Sequence, residues 1–264
     1  SQVSAVPEHT ELVVLASPTV ALPPGPVQAL VDYVQRGGNL LWLTEPANDT
    51  LGLDPLASAL GVHVLPGVLV DGSGAALGLH DPRIITRGDY PAQAITRGFT
   101  FTTLFPQASA LAQVSQRDWA VAPFLRSGPQ SWTEFQPIAN DAASDIRFDA
   151  AAGELKGPLD FGLALSRLSP SPDKSEQRAV VIGDGDFLSN TFLGNGGNRA
   201  LGERVFDWLL GDDKLVDLPP RGAPDRLLEI SQGELNALSF GFLIVLPLLL
   251  LLIGGAAAGR RRRR

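Results

Sequence analysis

The chain has 264 residues and a formal net charge of -7, with no cysteine and no methionine. Without cysteine there are no disulfides, no thiolate metal site and no cysteine nucleophile. The five arginines at 260–264 contribute five positive charges, so residues 1–259 carry -12, and bulk attraction to nucleic acid or anionic lipid is excluded for that part.

The length admits one large domain or two small ones, with ample core. A start at Ser1 rather than Met is expected of a processed chain or a piece of a longer product. Residues 11–16, Glu-Leu-Val-Val-Leu-Ala, form a short apolar run bounded by turn formers and predict a buried strand. A Pro-rich loop follows. Pro26 then suits the first turn of a helix in which Val27, Leu30, Val31 and Val34 recur at helical spacing. Gly37-Gly38 ends it, and residues 39–44, Asn-Leu-Leu-Trp-Leu-Thr, predict the next strand. Strand, helix and strand with short links make a βαβ unit and so a parallel sheet.

Residues 55–60 predict a further short helix and 62–70 a strand. Residues 71–150 are rich in Gly, Pro, Ser and Thr, with β-like pieces at 84–86 and 99–104. They read as an irregular β-rich insertion in, or against, the α/β unit. A strand is expected at 159–168, a polar surface loop at 170–177 and a clear strand at 178–183. An amphipathic helix at 198–210 carries Leu201, Val205, Trp208 and Leu209 on one face and is stopped by Gly211. The α/β domain is thus expected over 1–211, with a charged, Pro-containing linker at 212–236.

Residues 237–259 contain no charged residue, and thirteen of them are Leu, Ile, Val or Phe. At 1.5 Å per residue this stretch reaches roughly 34 Å, enough for a hydrocarbon core of about 30 Å. A buried core helix seldom runs so long without a polar face. Residues 237–259 are therefore expected to span a membrane, with Pro247 as a tolerated kink. The arginines at 260–264 would stay cytoplasmic by the positive-inside rule, leaving the main domain periplasmic or extracellular.

Several segments together resemble one family. They are Gly37-Gly-Asn-Leu-Leu-Trp-Leu43, Leu60-Gly-Val-His63, Tyr90-Pro-Ala-Gln-Ala-Ile-Thr-Arg-Gly98, Ser131-Trp-Thr-Glu134 and Lys156-Gly-Pro158. The most distinctive are Val181-Ile-Gly-Asp-Gly-Asp-Phe-Leu-Ser-Asn190 and Gly194-Asn-Gly-Gly-Asn198. Their order and spacing resemble the auxiliary component of gliding-motility-type ABC transport systems, the GldG family. The resemblance implies an extracytoplasmic, flavodoxin-like, class-I glutamine-amidotransferase-like α/β core. It implies partnership with an ABC permease and ATPase in a bacterial inner membrane, and no known enzymatic reaction. Members usually carry an N-terminal membrane helix and more sheet before the first strand, and this sequence departs from them there.

The candidate ligand-binding residues are Asp184, Asp186, Asn190 and Glu45. Asp184 and Asp186 follow the strand at 178–183, Glu45 follows the strand at 39–44, and open α/β sheets bind ligands at strand carboxyl ends. Paired carboxylates can hold a hard cation or do acid–base work. The competing reading is that both aspartates organise a turn through hydrogen bonds to backbone. Gly183-Asp-Gly185 begins a dinucleotide fingerprint, but Leu188 stands at its third Gly position. Residues 194–198 precede a helix and could hold an anion, or could be a plain loop with Asn198 as N-cap. His9, His63 and His80 are scattered, so no metal site or cofactor is expected. Ser17 follows the first strand without a Gly-x-Ser-x-Gly elbow. Trp42 and Trp208 read as core, while Trp132, placed in a loop, suits either surface recognition or packing.

A non-enzymatic auxiliary transport subunit that recognises cargo or partner proteins follows best from these features. The alternatives are a carboxylate-dependent hydrolase and a small-ligand or glycan sensor using the strand-end crevice.

Overall fold

The computed structural model describes residues 5–47, 49–114, 118–138, 146–172 and 176–211, together with Phe240, Ile244 and Pro247. The elements below all belong to the unit Ser1–Asp225. The strands are β1 (Leu12–Ala16), β2 (Asn39–Leu43), β3 (Val62–Val64), β4 (Val68–Val70), β5 (Ile85–Arg87) and β6 (Thr103–Phe105). They continue with β7 (Leu111–Gln113), β8 (Ala120–Arg126), β9 (Trp132–Glu134), β10 (Asp160–Leu168) and β11 (Glu176–Ile182). The helices are α1 (Pro24–Gln35), α2 (Asp54–Leu60) and α3 (Asn198–Leu209).

β2 explains the layering. All five of its residues are buried, as expected of a strand covered on both faces. Leu40 and Trp42 face Val27, Val31 and Val34 of α1 and Leu56 and Leu60 of α2. Leu41 and Leu43 face the opposite way, toward Leu201, Val205 and Leu209 of α3 and the rings of Phe99, Phe101, Phe105 and Phe187. Fully burying each such side chain contributes on the order of 1.5–3 kcal/mol. The central sheet therefore lies between an α1–α2 layer and a layer made of α3 with the 85–105 segment.

The sheet order is β1-β2-β11-β10-β8. β1, β2 and β11 run parallel, which agrees with the βαβ reading. The expected all-parallel sheet is corrected at the other end, where β10 is antiparallel to both β11 and β8. The link between β10 and β11 is of hairpin length, whereas a parallel return needs a dozen or more residues of crossover. The result is a mixed sheet.

Other expectations are corrected locally. The strand at 62–70 is two strands, because Pro66 removes a backbone donor and Gly67 turns with φ +85. The piece at 99–104 is strand only from Thr103 on. Upstream, Phe99 and Phe101 stack edge to face and bury their rings. Trp132 lies in β9, not a loop, half-buried with its Nε1 donating to Glu134. The region 71–150 supplies β5 to β9, and its β8 completes the central sheet. Gln177, assigned to a surface loop, is fully buried in β11, and its amide donates to the carbonyls of Val34 and Gly38 at the end of α1. α3 is closed by the sheet in a similar way: Asn39 donates to Leu209 O and Arg178 to Trp208 O.

The predicted span 237–259 and linker 212–236 lie outside the described residues, apart from Phe240, Ile244 and Pro247. Among the described residues no helix is long and apolar enough to cross a membrane.

Candidate functional site at the strand carboxyl ends

β1, β2 and β11 end side by side, so the residues after them meet although they are far apart in sequence. Ser17 follows β1, Glu45 follows β2, and Asp184 follows β11. The Ser17 hydroxyl donates to Glu45 Oε1 at 2.7 Å, and the Gly185 amide donates to the same oxygen at 2.8 Å. Burial pushes the Glu45 carboxyl above its ordinary pKa, with the Asp186 charge adding to the rise. The bonds from Ser17, Gly185 and the Asp186 amide oppose it.

Asp184 is fully buried. Its Oδ1 accepts from the Phe187 amide at 3.2 Å, while Oδ2 has no hydrogen-bond partner. Burial raises its pKa well above the usual carboxylate value, and the Glu45 charge raises it further. The Phe187 and Gln107 amides pull the other way. Beside it the buried Ser109 hydroxyl also lacks a partner, and the Ser109 amide donates to Gly183 O.

Two glycines allow this crowding. A Cβ on Gly183 would stand 2.0 Å from Ser109 O, and one on Gly185 would stand 2.0 Å from Ser17 Oγ. Ser17 itself is held at φ +42, in the left-handed region where a side chain is strained by about 1–2 kcal/mol.

Of the candidate residues, Glu45 and Asp184 therefore converge. Asp186 is exposed and acts through its charge and its backbone amide. Asn190 is exposed on the following turn, with no described bond to the cluster. The turn-forming role holds for Asp184, whose side chain ties to the amide three residues on. Glu45 is a hub: its carboxylate gathers donors from the ends of β1 and β11. Among the described residues no group of three or more His, Cys, Asp or Glu is placed to hold a metal ion.

Sequence reasoning set Ser17 aside and did not single out Ser109. Nothing local marks Ser17, because its partner lies 28 residues away. The Gly194–Asn198 segment is corrected too. Gly197, not Asn198, is the N-cap of α3, and its amide is taken by Thr102 O at 2.7 Å. Asn198 is fully buried and spans two segments. Its Oδ1 accepts from Leu104 N, and its Nδ2 donates to the carbonyls of Leu104, Phe187 and Phe192.

Two clefts adjoin this end and the neighbouring face. One, of about 350 Å³, opens past Pro46 and Ala47 and is lined by Arg83, Gln107, Glu134 and Phe135. Arg83 is clamped to Asp81 there at 2.6–3.0 Å, which lowers the Asp81 pKa. Glu134 accepts from Gln136 N, and the neighbouring Glu154 is raised by burial first and by Glu134 after it. The second, of about 850 Å³, lies between the 88–99 segment and Ala122. Tyr90 braces that segment through Arg87 O, Phe101 O and Thr103 Oγ1.

Fold and site together define a mixed α/β domain whose strand-end residues bind one another. A family model described as an ABC-type uncharacterized transport system matches residues 1–207, and the chain belongs to that auxiliary ABC transport family. No curated protein sequence matches it. Among solved structures it is similar to the mmIFT52 N-terminal domain, with a TM-score of 0.53, 14% identity, and coverage of 76% of this chain and 77% of that one. A match to the exo-beta-1,4-mannosidase Op5Man5 from Opitutaceae bacterium strain TAV5 has a TM-score of 0.31, 9% identity, and coverage of 76% of this chain and 25% of the enzyme. The first likeness concerns the fold alone, and the second is too distant to carry an argument.

Proposed function

We propose that the chain is a non-enzymatic, membrane-anchored auxiliary subunit of an ABC transport system. Its α/β domain would lie outside a bacterial inner membrane and recognise cargo or partner proteins. The observation that carries this reading is the family match over residues 1–207. At the strand ends one Glu45 oxygen is taken up by bonds inside the domain, from the Ser17 hydroxyl and the Gly185 amide, in keeping with a structural role. The uncharged stretch 237–259 and the arginines after it support the anchor and its orientation. The partners are a permease and an ATPase of the ABC type, as in gliding-motility-type systems.

The test is a mild-detergent purification of the tagged protein from its native membrane, with co-purifying proteins identified by mass spectrometry. A permease and an ABC ATPase are expected. Recovery of the protein alone, from extracts in which the transporter stays assembled, would refute the role.

A hydrolase using Glu45 and Asp184 is the second reading, supported by the convergence of two carboxyls with raised pKa values. It requires hydrolysis of an ester or glycoside that Glu45→Gln abolishes. Equal turnover by wild type and variant removes it.

A further inference from the structure

The segment Gly194-Asn-Gly-Gly-Asn198 carries two asparagines that the fold treats in opposite ways. Asn198 is fully buried, and its side-chain amide is held by Leu104, Phe187 and Phe192. Asn195 is exposed, and among the described residues its side chain has no hydrogen-bond partner. Asn195-Gly196 is also the one Asn-Gly step in the chain. An asparagine side chain is attacked most readily by the next backbone nitrogen when that residue is glycine, because no Cβ stands in the way.

The Gly196 nitrogen is not committed elsewhere. The amides of Asn195, Gly197 and Asn198 donate to Phe192 O, Thr102 O and Asn195 O, whereas that of Gly196 has no acceptor among the described residues.

We propose that Asn195 is a site of spontaneous deamidation, with Gly196 as the nucleophile and water as the co-reactant. The deprotonated Gly196 nitrogen bonds to Asn195 Cγ. The bond from Cγ to Nδ2 breaks, and the side-chain nitrogen takes up a proton and leaves as ammonia. The product is a cyclic imide, which water opens at either of its carbonyls. Attack at Cγ gives aspartate with the ordinary backbone. Attack at the main-chain carbonyl carbon gives isoaspartate, whose chain runs through Cβ and Cγ. No oxidation state changes on either route.

The surroundings distinguish the two products. Position 195 lies just before Gly197, the N-cap of α3, so the new aspartate charge faces the positive end of the helix and is tolerated. Isoaspartate instead adds one carbon to the main chain beside Gly196. That glycine lies so close to Thr102 that a Cβ on it would stand 2.2 Å from Thr102 O, and the Gly197 amide donates to the same oxygen at 2.7 Å. The longer backbone displaces these contacts and frees the start of α3 from Thr102.

The full chain, purified in mild detergent, is incubated at mildly alkaline pH and physiological temperature, then unfolded and digested with trypsin. Cleavage after Arg178 and Arg199 yields the peptide 179–199, which holds Asn190, Asn195 and Asn198. Fragment-ion masses are expected to show the amide-to-acid mass gain at Asn195. Asn190 is also exposed but precedes Thr191, whose branched side chain hinders the attacking nitrogen, so conversion there is expected to be at least about tenfold slower. The product is expected as two peaks of one mass, one matching the Asn195→Asp chain and the other methylated by an isoaspartate methyltransferase. Asn195→Gln is expected to abolish both. Exchange of the Gly197 amide is expected to quicken in the isoaspartyl form and not in Asn195→Asp. The proposal is overturned if Asn195 of the folded chain is unchanged once the urea-unfolded chain has converted, if Asn190 and Asn195 convert equally, or if Asn195→Gln gives the same peaks. Equal Gly197 exchange in the two products overturns the effect on α3.

Discussion

Arg204 and Asp184 are both buried ionisable residues on the α3 side of the sheet, and they meet burial in opposite ways. Arg204 gives its Nη1 to the carbonyls of Ile95 and Arg97 at 3.2 and 2.7 Å and lays its guanidinium over the Phe99 ring at 5.3 Å. Backbone carbonyl dipoles and a π face thus stand in for part of the water that a guanidinium would have. Asp184 stands near two other carboxylates with one oxygen unpartnered, and burial drives it toward the neutral form. The first arrangement braces the 88–101 segment. The second keeps the strand ends closed while leaving a proton-binding group inside. Buried polarity is thus structural in both places, and at the strand ends two carboxyls with raised pKa values also link stability to acidic pH.

The sharpest way to break the strand-end region is Gly183→Ala. Its Cβ would stand 2.0 Å from Ser109 O, and backbone on both sides must shift. A loss of about 3 kcal/mol is expected in urea unfolding, at the upper end of overpacking costs. Arg204→Met keeps the stem and deletes the guanidinium, leaving Ile95 O and Arg97 O without that donor. About 2 kcal/mol should be lost, along with amide protection in the 88–99 segment. Stability within 0.5 kcal/mol of wild type would remove the bracing role.

The pH dependence separates the two regions directly. Asp184 and Glu45 have folded-state pKa values raised above 3.8 and 4.5. Between those ordinary values and the raised ones, the folded state binds more protons than the unfolded state. Stability should therefore fall as pH rises through that window, by at most about 1.4 kcal/mol per pH unit for one proton. Asp184→Asn should flatten the profile, whereas Arg204→Met should shift it without changing its slope. An unchanged slope in Asp184→Asn would sink the assignment. The smallest effect is expected for Ser17→Gly. Relief of the +42 φ strain should nearly cancel the lost bond to Glu45, for a net change within about 1 kcal/mol in thermal denaturation.

The folding pattern was legible where it depends on near neighbours. Val27, Val31 and Val34 at helical spacing, the Gly37-Gly38 stop and the unbroken apolar run of β2 led to the first βαβ unit. They did so because period and turn chemistry are local properties. Pairing direction was not legible for β10 and β8, since an apolar strand looks the same whichever way its neighbour runs. Gln177 shows a related limit: a polar residue beside a charged loop reads as surface, and only the α1 carbonyls it reaches explain its burial.

The candidate site divides in the same way. Sequence alone placed Glu45, Asp184 and Asp186 at strand ends, because strand length and the following Gly-Asp-Gly turn are written in consecutive residues. It also pointed to the auxiliary ABC transport family that the match over residues 1–207 shows, and it fixed the absence of thiol chemistry and the apolar character of both β1 and residues 237–259. Tertiary structure decided that Ser17 bonds to Glu45, that Asp184 is left with an unpartnered oxygen beside Ser109, and that β11 lies between β2 and β10. Those outcomes depend on which strands become neighbours. That choice is set by the summed packing of α1, α2 and α3 on the two faces of the sheet, which no single segment encodes.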